Sequence, residues 1–172
     1  MAIIFLDIDG VLATNLQFQM NKEKFQEKHA WADELRVPYP FDTGCVKILN
    51  EIIEMTDAEI VLSSDWKLHW NILELHDIFH HNGVIKSPRT ITLNVTAPEF
   101  DLEQERAYQI SEFIKKFKPK QYVIIDDLEV GSKMETLEGQ DRYVKTRDRE
   151  GLKQTGVKEK ILEKIGKIVL ED

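Results

Sequence analysis

Residues 2–12 read AIIFLDIDGVL, and this stretch decides the fold. Its first part, residues 2–9, is a nearly continuous apolar run that ends in two acids, Asp7 and Asp9. An apolar run without alternating polar residues is typical of a strand that is buried on both faces of a parallel sheet. The stretch therefore predicts a central parallel strand with acidic side chains at its carboxyl end.

Strand and helix patterns alternate along the rest of the chain. Two further buried strands and two shorter ones are predicted at residues 59–63, 121–127, 90–95 and 142–146. Helical spacing of apolar residues predicts a helix that begins after an N-cap at Asp42 or Thr43, and others at residues 66–81, 102–117 and 157–169. The alternation indicates an α/β fold around a mainly parallel sheet.

The size and composition of the chain limit the class of protein to which it can belong. The 172 residues show no repeat or linker, so we predict a single domain over residues 1–172. The only cysteine, Cys45, excludes an internal disulfide framework and a zinc module with several cysteine ligands. Since neither a membrane span nor a secretory signal is visible, we expect a cytoplasmic protein without a membrane partner.

Residues 13–41 interrupt the alternation between the first strand and its expected helix. This polar segment of about 29 residues is long for a connection that usually takes about 2–6 residues. We expect a small helical insertion, with its helix over residues 21–35. The insertion is either an incidental surface excursion or a lid over the site.

The chain is acidic, with 31 Asp and Glu against 23 Lys and Arg and a formal net charge of −8. Proteins bind a nucleic-acid backbone mainly by neutralising its phosphates with Lys and Arg, so this charge disfavours a polynucleotide partner. Basic residues nevertheless concentrate in residues 115–120 and 142–167. These stretches are either solvated helix surfaces or a basic rim beside a site.

Polar side chains end three of the predicted strands. They are Asp7 and Asp9, Ser63 and Ser64, and Asp126 and Asp127. The carboxyl ends of parallel strands meet at one edge of a sheet, where ligands bind. Four carboxylates in one place repel each other unless a cation lies among them, and oxygen ligands suit Mg²⁺. The pattern predicts a magnesium-centred site for phosphoryl transfer, although the chain contains no glycine-rich phosphate loop.

Three segments in this order resemble the haloacid dehalogenase (HAD) superfamily of phosphohydrolases: FLDIDGVL at residues 5–12, IVLSSDWK at 60–67 and VIIDD at 123–127. They resemble in particular the branch described as the HAD domain of Swiss Army Knife RNA repair proteins. The resemblance implies a three-layer Rossmann-like fold with a small cap or none. It also implies a phosphatase that uses Mg²⁺ and an aspartyl-phosphate intermediate.

The resemblance implies a role for each matching residue. Asp7 would be the nucleophile, and Asp9 would protonate the leaving group and then activate water. Ser63 would hydrogen-bond the transferring phosphoryl group. Gly10, Ser64 and Lys67 would contact the substrate or its phosphate, and the metal ligands would be Asp7, the carbonyl of Asp9, Asp126 and Asp127.

The family also places a basic side chain at the start of the helix before its acidic strand. Arg106 lies 20 residues before Asp126 and is the residue that we predict for this role, unless it lies on a solvated helix face. Lys67 and Arg89 are the alternatives. For Trp66 and Trp70, packing in the core is favoured over stacking on a substrate ring.

These residues predict a Mg²⁺-dependent phosphomonoesterase that acts on a small phosphorylated metabolite or nucleotide. The family branch suggests an end-healing phosphatase on RNA or DNA termini as an alternative. A protein phosphatase is a further alternative, because a small cap leaves the site open. A binding domain without turnover is disfavoured, since such a domain has no need of Asp9.

Overall fold

A computed structural model of the chain describes residues 1–17, 41–95, 97 and 99–166. Five strands form one sheet: β1 (Ala2–Leu6), β2 (Glu59–Leu62), β3 (Thr90–Ile91), β4 (Gln121–Asp126) and β5 (Tyr143–Lys145). The α-helices are α1 (Thr43–Thr56), α2 (Ile72–His81), α3 (Leu102–Phe117), α4 (Leu137–Asp141) and α5 (Val157–Ile165). Short 3₁₀ helices lie at Asp65–Leu68, Gly131–Lys133 and Gly151–Lys153.

All neighbouring strands of the sheet are parallel, in the order β3-β2-β1-β4-β5. The central strand β1 aligns Leu6 with Leu62 of β2 on one side and with Ile125 of β4 on the other. From β1, the chain first adds strands on the β2 side of the sheet and then crosses to the other side to form β4. Open α/β sheets bind their ligands at the point where this switch occurs, here between β1 and β4. The register therefore brings the ends of β1, β2 and β4 to the same level at that edge.

The sheet lies between two layers of helices. One face of β1 carries Ile4 and Leu6, which pack in a core cluster with residues of α1, α2 and α5. The opposite face carries Ile3 and Phe5, which pack against α3. Burial on both faces explains why β1 is apolar throughout, and the arrangement confirms the predicted three-layer α/β fold.

The prediction of one helix over residues 66–81 is wrong. The structure has the 3₁₀ helix Asp65–Leu68 and then a separate helix, α2. Each begins with its own N-cap: the side chain of Ser64 accepts from the Trp66 N–H, and Asn71 forms a capping box with Glu74. The second cap divides a segment whose apolar spacing is continuous.

Other predicted boundaries differ at the ends of elements. The strand predicted over residues 90–95 is the two-residue β3. Most of the predicted insertion, residues 18–40, lies outside the described residues, as do residues 167–169 of the last predicted helix. No helix in the described part of the chain has the length and apolar character that crossing a membrane requires.

The carboxylate of Asp42 ties the start of α1 to two other parts of the chain. Its Oδ1 accepts from the backbone N–H groups of Gly44 at 2.8 Å and Cys45 at 3.2 Å. Its Oδ2 accepts from the Thr14 hydroxyl at 3.2 Å and lies 2.5 Å from Lys153 Nζ. Asp42 is buried, so these contacts are shielded from water. The structure confirms Asp42 as the N-cap.

We expect Asp42→Ala to lower the free energy of unfolding by about 2 kcal/mol, because the cap and buried hydrogen bonds are lost together. The matched control is Asp101→Ala, which removes the exposed N-cap of α3 and should cost about 1 kcal/mol. Urea unfolding measures both values. Equal losses would contradict the bridging role of Asp42.

Candidate active site

Backbone hydrogen bonds continue the sheet beyond its strands and fix the first residues of the site. The Asp7 N–H donates to the carbonyl of Ile125 at 3.1 Å. The Ser63 N–H donates to the carbonyl of Leu6 at 3.0 Å. Asp126 is the last residue of β4. The sheet itself therefore sets the spacing of these three side chains.

Three carboxylates meet at this edge. One carboxylate oxygen from each of Asp7, Asp126 and Asp127 lies within 4.8 Å of the other two. Asp7 and Asp126 are buried, and Asp127 is half-buried. Oxygen donors at this separation suit a hard cation such as Mg²⁺. In the part of the chain that the structure describes, no other group of His, Cys, Asp or Glu has this arrangement.

Burial raises the pKa of all three carboxyl groups. It brings the pKa of Asp7 to about 7, helped by the negative charge of Asp126. The pKa of Asp126 rises to about 6, and that of Asp127 rises to about 7 with a contribution from Asp7. A divalent cation among the three oxygens would favour their ionised forms and so reverse these shifts.

Arg106 supplies a fixed positive charge beside the carboxylates. Its Nη1 lies 3.0 Å from an oxygen of Asp7 and 3.0 Å from an oxygen of Asp126, and its Nη2 lies 3.0 Å from Asp65. Burial alone would lower its pKa, but Asp7 and Asp126 raise it, so the guanidinium stays charged. Only 5% of Arg106 is exposed, which contradicts the alternative of a solvated helix face.

Lys67 lies close to this cluster but bonds to neutral groups. Its ammonium donates to the Thr92 hydroxyl at 2.6 Å and to the side-chain carbonyl of Gln109. Burial, and then the charge of Arg106, lower the pKa of Lys67 to about 8. Lys67 is 7% exposed, so it does not lie on a solvated rim, and the charges of Arg106 and Asp7 both act on its pKa.

Arg89, the third basic residue considered from the sequence, lies at the amino ends of the strands, opposite the carboxylates. It directly precedes β3, and its Nη1 lies 3.2 Å from the Sδ of Met1, which precedes β1. Because β1 and β3 run in the same direction, both residues lie at the amino ends of the strands. The structure therefore does not bring Arg89 to the carboxylates.

Two buried polar atoms at the site lack a partner. They are the Oγ of Ser63 and the Nε of Arg106, neither of which has a hydrogen bond in the described structure. Buried polar groups are almost always hydrogen-bonded. An unpartnered buried atom at the carboxyl ends of these strands therefore indicates a group that bonds to a ligand. An oxyanion such as a phosphoryl group accepts from both kinds of donor.

Asp9 lies two residues after Asp7 and is exposed. Its Oδ2 accepts a hydrogen bond of 2.8 Å from the indole Nε1 of Trp66. The sequence favoured core packing for Trp66, and the ring is indeed buried in the core. Its contact with Asp9 was missed, because apolar spacing carries no information about where an indole N–H points.

Gly10 shapes the chain between Asp9 and the rest of the site. Its φ of +73° lies in the left-handed region that favours glycine, and a Cβ there would lie 2.3 Å from Oδ2 of Asp127. The Thr146 hydroxyl donates to the Gly10 carbonyl at 2.8 Å. Thr146 follows β5 as Asp7 follows β1, so the same strand-end signal could have identified it.

A family model described as the HAD domain in Swiss Army Knife RNA repair proteins matches residues 3–157. The chain belongs to this family. The match includes β1 from Ile3 onward, the other four strands in full, and the side chains from Asp7 to Thr146 that form the site, and it confirms the resemblance found in the sequence. No curated protein and no solved structure matches the chain significantly.

Without a divalent cation, this HAD domain should lose stability as the pH rises. Its three clustered carboxyl groups have pKa values of about 6 to 7 when folded and about 3.9 when unfolded. Between about pH 4 and pH 7 the folded state therefore binds more protons than the unfolded state, and raising the pH favours unfolding.

Added Mg²⁺ should consequently raise the melting temperature more at about pH 8 than at about pH 5.5, where protons occupy the carboxyl groups. Thermal melts with and without Mg²⁺ at both pH values measure the effect. An Asp7→Asn variant should respond less to the ion. The carboxylate cluster is not a cation site if Mg²⁺ gives no shift at either pH.

We expect Gly10→Ala to raise the Mg²⁺ concentration for half-maximal stabilisation by roughly tenfold or more, because the new Cβ displaces Asp127. Gly83→Ala is the matched control: its φ is +79°, and a Cβ there meets nothing within 4 Å. Both variants carry the same backbone strain. Equal effects on Mg²⁺ binding would show that contact with Asp127 is unimportant.

Proposed function

We propose that this HAD domain is a Mg²⁺-dependent phosphomonoesterase that transfers a phosphoryl group to Asp7 and then to water. The observation that carries the proposal is the buried cluster in which Asp7 meets Arg106, Asp126 and Asp127. The family match supports a phosphatase of the HAD type. We further propose that small phosphorylated metabolites or nucleotides are its preferred substrates.

The residues that would hold Mg²⁺ are Asp7, Asp126 and Asp127, together with the carbonyl of Asp9. Bound there, the ion would add positive charge beside the phosphoryl group and the carboxylates. Arg106 holds the Asp7 carboxylate in place and offsets part of its repulsion from a phosphate dianion. With its position fixed by the sheet, an Asp7 oxygen attacks phosphorus.

Hydrogen-bond donors around Asp7 would bind the phosphoryl oxygens. The unpartnered hydroxyl of Ser63 is placed for this role at the end of β2, and Ser64 lies beside it. Lys67 has three N–H donors, of which Thr92 and Gln109 engage two. In the described part of the chain the third donor has no partner, so this donor and the charge of Lys67 could serve a phosphoryl oxygen.

Asp9 would act as the acid and then as the base. In the first half-reaction it protonates the leaving oxygen, so that the alcohol departs as a neutral molecule. In the second it removes a proton from the water that attacks the phosphoryl group on Asp7. Its exposure would let it reach both the leaving group and water.

The positions of the basic residues support a small substrate. Helix α3 runs away from the site: Arg106 is near its start, whereas Lys118 and Lys120 follow its end and line a cavity with Met1 and Ile3 at the amino edge of the sheet. Sixteen helical residues span roughly 24 Å. The lysines near residue 118 therefore do not line the site.

Many basic side chains of the second stretch are paired with acids. Salt bridges of 2.5 to 2.7 Å engage Lys145, Arg147, Lys153 and Lys158. A polynucleotide needs several unpaired cations along its path. This pairing favours recognition of a single phosphate over recognition of a backbone.

A second candidate is an end-healing phosphatase for RNA or DNA termini, which the family description favours. Such an enzyme would bind several backbone phosphates beside the terminal one. Its apparent affinity would then fall steeply as salt displaces the contacts, whereas a mononucleotide would show a shallower dependence. Protein phosphates remain a third substrate class for the same test.

The catalytic proposal predicts that Asp7→Asn loses p-nitrophenyl phosphatase activity by roughly several orders of magnitude while the domain stays folded. The control variant Asp57→Asn changes an exposed acid after α1 and should keep full activity. Excess EDTA should abolish wild-type turnover, and added Mg²⁺ should restore it. Near wild-type activity of Asp7→Asn, or full activity in EDTA, would disprove this mechanism.

The substrate proposal predicts a higher kcat/KM for a mononucleotide than for a 3′-phosphorylated oligonucleotide between about 50 and 200 mM salt. A sugar phosphate and a phosphopeptide complete the panel. If the oligonucleotide is the better substrate at every salt concentration, and only its rate collapses as salt is added, the end-healing function is correct instead.

A further inference from the structure

Trp66 makes a contact with the site that the proposed function does not use. Its indole Nε1 donates to Oδ2 of Asp9 at 2.8 Å. The ring is 5% exposed, with centroids 5.8 Å from Phe41 and 4.8 Å from Trp70. Because the ring is buried against these aromatic neighbours, the core restricts the direction of its N–H bond.

The local fold explains how the indole arrives there. The 3₁₀ helix Asp65–Leu68 begins directly after the serine pair that ends β2, and Ser64 caps it. Asp65 points back to Arg106 at 3.0 Å, and the next residue places its indole on Asp9. One short turn therefore contacts both the fixed cation and the exposed carboxyl group of the site.

We propose that Trp66 is a positioning residue: by holding Oδ2 of Asp9, its N–H fixes the orientation in which the carboxyl group passes its proton from Oδ1. This inference rests on the proposed acid role of Asp9. An indole N–H only donates, so the oxygen that faces it must accept. A protonated Oδ2 would accept this hydrogen bond more weakly than an unprotonated one, so the contact by itself favours a proton on Oδ1.

The assignment describes both half-reactions. In the first, the bond between phosphorus and the leaving oxygen breaks as the Asp7 oxygen bonds to phosphorus. The proton moves from Oδ1 to the leaving oxygen, and Asp9 becomes a carboxylate. In the second, a water oxygen bonds to phosphorus, its proton moves to Oδ1, and the bond between phosphorus and Asp7 breaks. Oδ2 accepts from the indole throughout.

Comparing substrates whose leaving groups differ in their need for a proton tests whether Asp9 is correctly positioned. A p-nitrophenolate departs without a proton, whereas the alkoxide of an alkyl phosphate needs one. The value of kcat/KM covers the steps up to loss of the leaving group, so the later attack of water does not enter it. A misplaced Asp9 should therefore slow the alkyl phosphate selectively.

The test variant is Trp66→Phe, which keeps an aromatic ring beside Phe41 and lacks the N–H. We expect its kcat/KM ratio, alkyl phosphate over p-nitrophenyl phosphate, to fall by roughly tenfold relative to wild type. Both rates are measured on one preparation, so both are proportional to the same concentration of folded enzyme. The ratio is therefore independent of any loss of folded protein, and thermal melts record that loss separately.

Two controls isolate the hydrogen bond. Phe41→Leu disturbs the packing of the same indole without removing its N–H, so it should lower the melting temperature and reduce the ratio by less than Trp66→Phe does. Asp9→Asn should lower the ratio by itself, and adding Trp66→Phe to it should lower the ratio no further. That non-additivity is expected if the two residues act through one contact.

The outcomes separate the inference from the function on which it rests. If Asp9→Asn leaves the ratio unchanged, the acid role in the proposed function fails. If Asp9→Asn lowers the ratio but Trp66→Phe does not, the positioning role of Trp66 is overturned and the acid role stands. An equal fall for Phe41→Leu would also overturn the role of the N–H, since packing alone would then explain the effect.

Discussion

The buried guanidinium of Arg106 between Asp7 and Asp126 is the interaction on which the rest of the site depends. A parallel sheet gathers its strand-end carboxylates at one edge, and burial there raises their pKa values. The gathered carboxylates repel one another, and the guanidinium of Arg106, which is fixed on α3, offsets part of this repulsion even before a ligand binds. It is also shared with Asp65, so the position of α3 is joined to the ends of β1, β2 and β4.

The surrounding loops are organised to keep these groups in register. Gly10 lets the chain turn beside Asp127 without a Cβ in the way, and Thr146 holds the Gly10 carbonyl. The turn after β2 places an indole on Asp9. The proposed phosphoryl transfer would thus draw on several short segments that are distant in the sequence, and such preorganisation is what this kind of reaction requires.

The sequence predicted those features that depend on local pattern. Continuous apolar runs identified β1, β2 and β4, and the polar residues after them identified Asp7, Ser63 and Asp126 as neighbours. Contacts that depend on the three-dimensional path were not predictable in this way. The bond between Trp66 and Asp9 joins two segments through the orientation of one ring, and the break before α2 depends on a cap inside a continuous apolar pattern.

The most direct test of the central claim is to look for the phosphoryl group on Asp7. The Asp9→Asn variant should accept a phosphoryl group from p-nitrophenyl phosphate and release it slowly, since its water-activating base is missing. Rapid acid quenching and mass spectrometry of the peptides should then find one phosphoryl group on the side chain of Asp7. A phosphoryl group on a different residue, or steady turnover with none on Asp7, would contradict the account.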